Sequence, residues 1–176
     1  MIHQNYKINN KKQIENVLKK MFVDKHALVN NGYSSYNTVV DYANLKVFDK
    51  VINKFIELAG KDFNVIDFWI NVYFKNGYVK KHTHTPDIQK LKNIPIQTGV
   101  YYFKKPKNSG NIVVDNKVIK IKQSDIILFD GNLMHYSERN KSNLPRIIFS
   151  INLMKGIKKI WNPQTKQYTF KTKDEF

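Results

Sequence analysis

Two segments in the first third of the chain carry apolar residues at helical spacing. Within residues 11–22 the apolar side chains recur every three or four positions, at Ile14, Val17, Leu18 and Met21. Within residues 45–59 the same spacing is found at Val47, Val51, Ile52, Phe55 and Leu58, and Gly60 follows as a helix stop. The pattern predicts two amphipathic helices that pack on the outside of a sheet.

From Asp62 onward the apolar period changes from helical spacing to simple alternation. Within residues 65–74 one face is entirely apolar, with Ile66, Phe68, Ile70, Val72 and Phe74. The opposite face is mainly polar and aromatic, with Val65, Asp67, Trp69, Asn71 and Tyr73. This alternation predicts a strand with one face in the core. Gly77 predicts a turn, after which residues 78–84 form another extended run.

Further short strands follow at regular intervals along the chain. They are predicted at residues 96–103, 111–114, 117–122, 126–129 and 146–153. Asp115-Asn116 and Asp130-Gly131 are turn signals between them. Many short strands preceded by helices indicate a mainly β fold of the α+β type, a sandwich or jelly roll, rather than a βαβ fold.

The length of 176 residues, without repeats or a Pro/Gly-rich linker, favours a single compact domain. Residues 1–60 are expected to form a helical N-terminal cover and residues 62–154 a jelly-roll core. Residues 155–176 are expected to form a C-terminal extension, a surface strand or tail. The absence of cysteine excludes disulfides, thiolate metal sites and iron–sulfur clusters. A polar N-terminus and the lack of a long apolar run predict a soluble, cytoplasmic protein without membrane association.

The net charge of +16 raises the question of an acidic partner. Only two of the 30 basic residues are arginines, Arg139 and Arg146, and the lysines are spread along the whole chain. Abundant Lys, Asn and Ile are also typical of proteins encoded by AT-rich bacterial or phage genomes. The charge therefore favours an acidic macromolecular substrate, protein or nucleic acid, without defining a binding patch for it.

Three of the five histidines lie in the strand-rich region and form a candidate metal site. In the segment His82-Thr83-His84, residues i and i+2 of an extended chain point to the same side, about 6.5–7 Å apart. His135 follows a predicted strand and a tight turn, where an antiparallel partner could bring in a third imidazole. Three such ligands leave positions open, as in non-haem iron sites, although nitrogen ligands also suit zinc. Asp87 is an alternative to His84 if Thr85-Pro86 forms a turn, but the i, i+2 geometry favours His84.

Four sequence motifs, in order, resemble those of the Fe(II)/2-oxoglutarate-dependent oxygenases. They are Trp69-Ile-Asn71-Val-Tyr73 with Gly77-Tyr-Val-Lys-Lys-His82-Thr-His84-Thr-Pro86, then Thr98-Gly-Val-Tyr-Tyr102-Phe, then Ile126-Ile-Leu-Phe-Asp-Gly-Asn-Leu-Met-His135, and finally Arg146-Ile-Ile-Phe-Ser150-Ile-Asn152. The match covers roughly residues 62–154. It is closest to prolyl 4-hydroxylase-like enzymes and to members with a His-x-His motif. The resemblance implies a double-stranded β-helix, the cupin-like jelly roll of that family.

The resemblance also implies roles for individual residues. His82, His84 and His135 would bind Fe(II), and Arg146 would hold the distal carboxylate of 2-oxoglutarate through a bidentate pair. The hydroxyl of Tyr102 would assist at the same carboxylate. On the polar face of their strand, Tyr73 and Asn71 would line the pocket. The chain departs from the family at His84, where most members have Asp or Glu, and such a neutral triad would compensate less of the metal's charge.

The implied activity is that of an Fe(II)- and 2-oxoglutarate-dependent dioxygenase. Such an enzyme uses 2-oxoglutarate and O2, hydroxylates a substrate C–H bond and decarboxylates 2-oxoglutarate to succinate. Two alternatives remain open: a three-histidine cupin-type metalloenzyme that does not use 2-oxoglutarate, and a non-enzymatic jelly-roll binding module. Arg146 distinguishes the dioxygenase from the cupin-type alternative, because the cupin-type enzyme has no obligatory role for this arginine. The loop at residues 88–95 is expected to overhang the site, and the sequence does not identify the substrate.

Overall fold

The computed structural model describes residues 1–20, 28–36, 42–85, 93–162 and 167–172 of the chain. The α-helices in these ranges are α1 (Lys11–Leu18) and α2 (Asp49–Ala59). The strands are β1 (Ile2–Asn5), β2 (Val29–Ser34), β3 (Phe63–Val79), β4 (Ile96–Lys104), β5 (Ile112–Val114), β6 (Lys117–Ile119), β7 (Asp125–Asp130), β8 (His135–Ser137), β9 (Arg146–Lys155), β10 (Ile157–Asn162) and β11 (Gln167–Thr172). The mainly β fold class predicted from the sequence is confirmed.

The strands form two sheets that pack against each other. The larger sheet has the order β1-β7-β4-β9-β3-β2, the smaller has the order β6-β5-β8, and β10 with β11 forms a separate hairpin. Side chains from both sheets meet in one buried cluster: Tyr73, Val100, Tyr102, Ile112, Val114, Ile121, Ile127, Phe129 and Ile148. The space between the sheets is therefore the interior of a jelly roll.

The two helices cover the outer face of the larger sheet, as predicted. Alternate residues of its strands meet the helices in a second cluster: Ile14, Tyr42, Phe48, Val51, Ile52, Phe55, Phe68, Ile70, Tyr101, Phe103, Ile126, Leu128, Phe149, Ile151 and Leu153. Gly99 allows this close packing, because an added Cβ would lie 2.3 Å from the ring of Phe55. The neighbouring Thr98 and Val100 point the opposite way, into the interior.

Both helices are shorter than the sequence pattern predicted. Helix α1 ends at Leu18, and residues 21 and 22 lie outside the described residues. Helix α2 begins at Asp49 rather than Leu45, after 3₁₀ turns at Tyr42–Asn44 and Lys46–Phe48. Leu45 separates these turns with an extended backbone, φ −86° and ψ 112°. Gly60 ends α2 at φ 106°, which confirms it as the helix stop.

A β-bulge in β3 changes which residues face the interior. Val65 and Asp67 pair with successive positions of β9, so Ile66 is an extra residue between them. Ile66 lines the interior cavity, whereas Val65 packs on the helix side. The predicted faces of these two residues were wrong, because simple alternation cannot anticipate an inserted residue. Beyond the bulge the predicted polar and aromatic face is confirmed, with Asp67, Trp69, Asn71 and Tyr73 on the cavity.

The turn predicted at Gly77 is instead an irregularity within β3, which continues to Val79. Its pairing with β2 skips from Tyr73 to Tyr78, and Asn76 has φ 64°. A Cβ at Gly77 would lie 2.5 Å from the carbonyl oxygen of Asn31, so a glycine is needed for this close approach. The separate strand predicted at residues 78–84 is not formed, since after β3 only an isolated β-bridge continues the pairing.

The first 60 residues are not only a helical cover. β1 pairs with β7 and β2 pairs with β3, so both add edge strands to the larger sheet. The C-terminal segment is more than a surface strand or tail, because Ile157 is buried and Phe170 reaches the interior cavity.

Among the described residues, no helix has both the length and the apolar character needed to cross a membrane.

Candidate metal and co-substrate site

Backbone hydrogen bonds bring the three predicted histidines together. His82 and His135 face each other in an antiparallel bridge, in which each backbone N–H donates to the other residue's carbonyl, at 3.0 and 2.9 Å. The N–H of His84 donates to the carbonyl of Gly131 at 2.8 Å, within the turn that leads back to His135. All three side chains line the same cavity. The turn predicted at Asp130-Gly131 therefore helps to hold His84 next to His135.

The three imidazoles are close enough for one metal ion to bind them together. Their ring centroids are 4.9 Å apart for His82 and His84, 4.3 Å for His82 and His135, and 5.0 Å for His84 and His135. One nitrogen from each ring lies within 4.8 Å of the corresponding nitrogen of the others. A set of three imidazole nitrogens suits Fe(II), Ni(II) and Zn(II).

Two of the rings have a protonation pattern that suits metal binding. Nδ1 of His82 lies 2.8 Å from the carbonyl oxygen of Lys80, and Nδ1 of His135 lies 2.9 Å from that of Leu133. Because a carbonyl oxygen only accepts, each Nδ1 carries the proton and donates it, and each lone pair lies on Nε2. Metal-binding histidines usually donate their second N–H to a carbonyl or carboxylate, which fixes the ring orientation. Backbone carbonyls play this part for His82 and His135.

The surroundings keep two of the imidazoles neutral. Burial lowers the pKa of His84 to about 3, and the neighbouring His135 and His82 add to the shift. Burial also lowers the pKa of His135 to about 4, with His82 adding to the shift and the hydrogen bond to Leu133 opposing it. At neutral pH both rings are therefore in the uncharged form, the form that binds metals.

The cavity between the sheets has a volume of about 430 Å³. At one end its wall is formed by Asn71, Tyr73, Tyr102, Ile112 and Ser137. Towards the C-terminal hairpin its wall is formed by Tyr36, Ile66, Asp67, Trp69, Ile96, Met154 and Phe170. The histidines line the same cavity, and the ring of Trp69 lies 5.6 Å from that of His84. The volume suits a small co-substrate together with part of a substrate.

Arg146 lies behind the first of these walls and is completely buried, at 0% exposure. Its guanidinium lies over the ring of Tyr73, 4.5 Å from the centroid. One terminal nitrogen donates to the carbonyls of Ser109 and Glu138 at 2.5 and 3.1 Å, and the other donates to Ser137 Oγ at 2.8 Å. Burial lowers the pKa of Arg146, although arginine stays charged in proteins. The arginine is therefore not a surface residue of an edge strand, since β9 lies inside the sheet.

This buried cation has no carboxylate partner among the described residues, and its Nε lacks a hydrogen-bond partner there. The hydroxyl of Tyr73 and Oδ1 of Asn71 are also buried and make no regular hydrogen bond within the described part of the chain, although the side chain of Asn71 is close enough to interact with the Tyr73 hydroxyl. Burial raises the pKa of Tyr73 to about 12, although the nearby Arg146 charge and the side chain of Asn71 both lower it, so its hydroxyl keeps its proton. Ser137 Oγ accepts from the Val79 N–H and from Arg146, and neither bond uses the hydroxyl proton of Ser137. The Arg146 guanidinium and the hydroxyls of Tyr73 and Ser137 are donors that need an acceptor, and a carboxylate fits them.

Tyr102, the remaining residue expected to assist the carboxylate, also lines this end of the cavity and is buried. Burial raises the pKa of Tyr102, and the Arg146 charge opposes the shift. The hydroxyl is therefore neutral and able to donate.

The sequence analysis did not single out Thr98 and Asn152, which connect to the histidine cluster through hydrogen bonds, although both lie inside the quoted motifs. Asn152 contacts Nδ1 of His84 at 3.2 Å and accepts a hydrogen bond from Thr98 at 3.0 Å. The sequence of β9 does contain an indication of this. Ser150 and Asn152 lie an even number of positions from Arg146, so they are on the same face of a mainly apolar strand, and both line the cavity.

Of the other histidines, His3 pairs with Asp125 at 2.9 Å on β1, and His26 lies outside the described residues. Asp87, the alternative ligand, also lies outside them.

We expect His84, not Asp87, to be the third ligand. His84→Ala should lower metal affinity by more than the roughly 10–100-fold that follows from changing a partner of a ligand. Asp87→Ala should leave metal affinity almost unchanged. Both are measured by anaerobic titration with Fe(II) or Ni(II). The reverse pattern would indicate a site of two histidines and one carboxylate.

Comparison with known proteins supports the fold. No protein-family model matches this chain, and no curated protein matches it significantly in sequence. HygX from Streptomyces hygroscopicus, crystallised with nickel and 2-oxoglutarate bound, is similar with a TM-score of 0.67 and 9% identity over 88% of this chain and 82% of that one. The viral collagen prolyl hydroxylase of Paramecium Bursaria Chlorella virus-1, in a 2-oxoglutarate complex, is similar with a TM-score of 0.61 and 18% identity. The match covers 88% of this chain and 97% of that one. A prolyl-4-hydroxylase from Pseudomonas putida is similar with a TM-score of 0.62 and 10% identity, over 88% of this chain and 91% of that one.

At these identities the likeness is one of fold. The similar structures include 2-oxoglutarate–Fe(II) oxygenases that cover most of this chain. The chain therefore has the double-stranded β-helix fold of the 2-oxoglutarate–Fe(II) oxygenases, which the resemblance of its sequence motifs predicted.

Proposed function

We propose that this protein is an Fe(II)- and 2-oxoglutarate-dependent dioxygenase that hydroxylates its substrate. The observation that carries the proposal is a single cavity lined by three clustered imidazoles and backed by the buried Arg146, which has no salt-bridge partner among the described residues. Among the described residues the guanidinium contacts only neutral groups, with the Glu138 carboxylate acting from beyond salt-bridge distance, so an anionic ligand is expected at that end. The similar structures crystallised with 2-oxoglutarate support this choice of anion.

In this proposal His82, His84 and His135 hold the metal. Arg146, Tyr73 and Ser137 bind the distal carboxylate of 2-oxoglutarate through charge-assisted and hydroxyl hydrogen bonds. Once bound, the metal and co-substrate would convert 2-oxoglutarate, O2 and a substrate C–H bond into succinate, CO2 and an alcohol. The apolar and aromatic walls around them exclude water from the reacting groups.

Arg146 also argues against a cupin-type enzyme that does not use 2-oxoglutarate. Such an enzyme gives no obligatory binding role to a buried guanidinium that faces the hydroxyls of Tyr73 and Ser137. A non-enzymatic binding module likewise has no use for three clustered imidazoles, two of which burial keeps neutral. The net charge of +16 supports an acidic macromolecular substrate, since it raises the local concentration of anionic partners.

The test is a titration followed by a turnover assay. The iron-loaded protein should bind 2-oxoglutarate without oxygen, with a new visible absorption band, and should release succinate once oxygen is admitted. The double variant His82→Ala, His135→Ala should do neither. A wild-type protein that holds iron but neither binds 2-oxoglutarate nor forms succinate would refute the proposed function and favour the cupin-type alternative.

A further inference from the structure

His84 differs from the other two imidazoles in what its second nitrogen contacts. Nδ1 of His82 and of His135 faces a backbone carbonyl, whereas Nδ1 of His84 lies 3.2 Å from the side-chain nitrogen of Asn152. Oδ1 of Asn152 in turn accepts from the Thr98 hydroxyl at 3.0 Å. Thr98 and Asn152 are opposite each other on β4 and β9 and are 1% and 5% exposed. The three side chains form a buried chain of hydrogen bonds that ends at His84.

The direction of this chain decides whether His84 can bind a metal. As arranged, the Asn152 amide donates to Nδ1, so the proton of the neutral ring must sit on Nε2. That ring offers no lone pair on the side away from Asn152. For Nε2 to bind a metal, Nδ1 must carry the proton, and an acceptor must face it.

Asn152 can supply that acceptor without any change in packing. A half-turn of its amide group exchanges oxygen and nitrogen, which have nearly the same size. The oxygen then accepts from Nδ1–H of His84, and the nitrogen donates to Thr98, whose hydroxyl can accept as well as donate. Both hydrogen bonds are kept with reversed direction.

We propose that Asn152, held by Thr98, is the positioning residue that sets the Nδ1–H tautomer of His84 and so makes Nε2 a metal ligand. The inference rests on the proposed metal site. His82 and His135 are fixed by carbonyls that only accept, so His84 alone depends on a side chain that can face either way. The third ligand is thereby the one whose availability is set by side-chain orientation.

The test uses the protein loaded with Co(II) in place of Fe(II) and examined by proton NMR. A metal-bound imidazole with a protonated second nitrogen gives a strongly shifted N–H signal that exchanges with water. We expect one such signal from each of the three histidines in the wild type. Asn152→Leu, similar in volume but without an acceptor, should broaden or abolish the His84 signal and lower Co(II) affinity roughly 10–100-fold. Asn152→Asp, which accepts but does not donate when ionised, should keep the signal.

Two further variants make the result specific. Thr98→Val removes the hydroxyl that anchors the amide, and we expect a smaller loss of affinity with the His84 signal retained. Asn64→Leu makes the same substitution as Asn152→Leu on β3, at a residue that does not line the cavity, and it should leave all three signals in place.

Several outcomes would overturn the inference. A wild type that holds Co(II) but shows only two exchangeable signals would overturn it and leave the metal site intact. Unchanged signals and affinity in Asn152→Leu would do the same. If Asn152→Leu does not fold, Asn152→Asp provides the test. Loss of the His84 signal in Asn152→Asp would show that Nδ1–H of His84 does not donate to residue 152. A wild type that binds no Co(II) would refute the proposed function itself.

Discussion

Replacing His135 by alanine is expected to remove most of the iron-binding capacity of this protein. His135 is the most buried of the three clustered histidines, and its ring is the closest neighbour of the His82 ring. Its Nδ1 is already held by the carbonyl of Leu133, so Nε2 is oriented before a metal arrives. Loss of a ligand should lower affinity by more than the roughly 10–100-fold that a change in a ligand's partner produces. The measurement is iron content and Fe(II) affinity under anaerobic conditions.

His3→Ala is the matched control. It removes one imidazole from the same chain, but from a ring that pairs with Asp125 at the edge of the larger sheet. Its iron content should equal that of the wild type. Equal iron retention in His135→Ala and His3→Ala would mean that the metal is held elsewhere.

The histidine cluster could be foreseen because it depends on local geometry. Residues i and i+2 of an extended segment share a side, which holds for His82 and His84 although they lie outside the long strands. The turn signal at Asp130-Gly131 correctly indicated that the chain reverses before His135. The Asp115-Asn116 turn was also correct, and both residues have positive φ angles of 49° and 59°.

Features that depend on distant pairing could not be foreseen. β1 and β2 are short edge strands, and their pairing with β7 and β3 is decided by partners more than 35 residues away. The bulge at Ile66 is likewise a matter of register against β9. A hydrophobic pattern indicates which residues are buried but not which strand they pair with. Edge strands and bulges therefore cannot be predicted from it.

The hydrogen-bond partners in the site show the same limit of sequence patterns. Asn152 and Thr98 are 54 positions apart and meet only because β4 and β9 are neighbours in register. Arg146 was conspicuous in sequence, as one of two arginines, within a strand of Ile and Phe. Its partners Ser109, Ser137 and Glu138 come from loops and a short strand and carry no sequence signal.

The second large effect is expected at the carboxylate end of the cavity. Arg146→Lys keeps the positive charge but removes the planar fork of donors. A lost charge-assisted hydrogen bond is worth about 1.5–3 kcal/mol, or roughly tenfold to over a hundredfold in 2-oxoglutarate affinity. Arg139→Lys is the matched control, because its guanidinium also lies 4.5 Å from a tyrosine centroid, that of Tyr78, but is exposed. The measurement is anaerobic titration of the iron-loaded variants with 2-oxoglutarate.

Arg146 also holds the carbonyls of Ser109 and Glu138, so its replacement could weaken binding by loosening the fold. Tyr73→Phe separates the two effects. The Tyr73 hydroxyl is buried and makes no regular hydrogen bond among the described residues, so its removal should change the free energy of unfolding little. If this hydroxyl donates to a bound carboxylate, the same change should weaken 2-oxoglutarate binding about tenfold or more while iron affinity stays constant. A Tyr73→Phe protein with wild-type affinity for 2-oxoglutarate, set beside a Tyr78→Phe control, would mean that the co-substrate does not reach this end of the cavity.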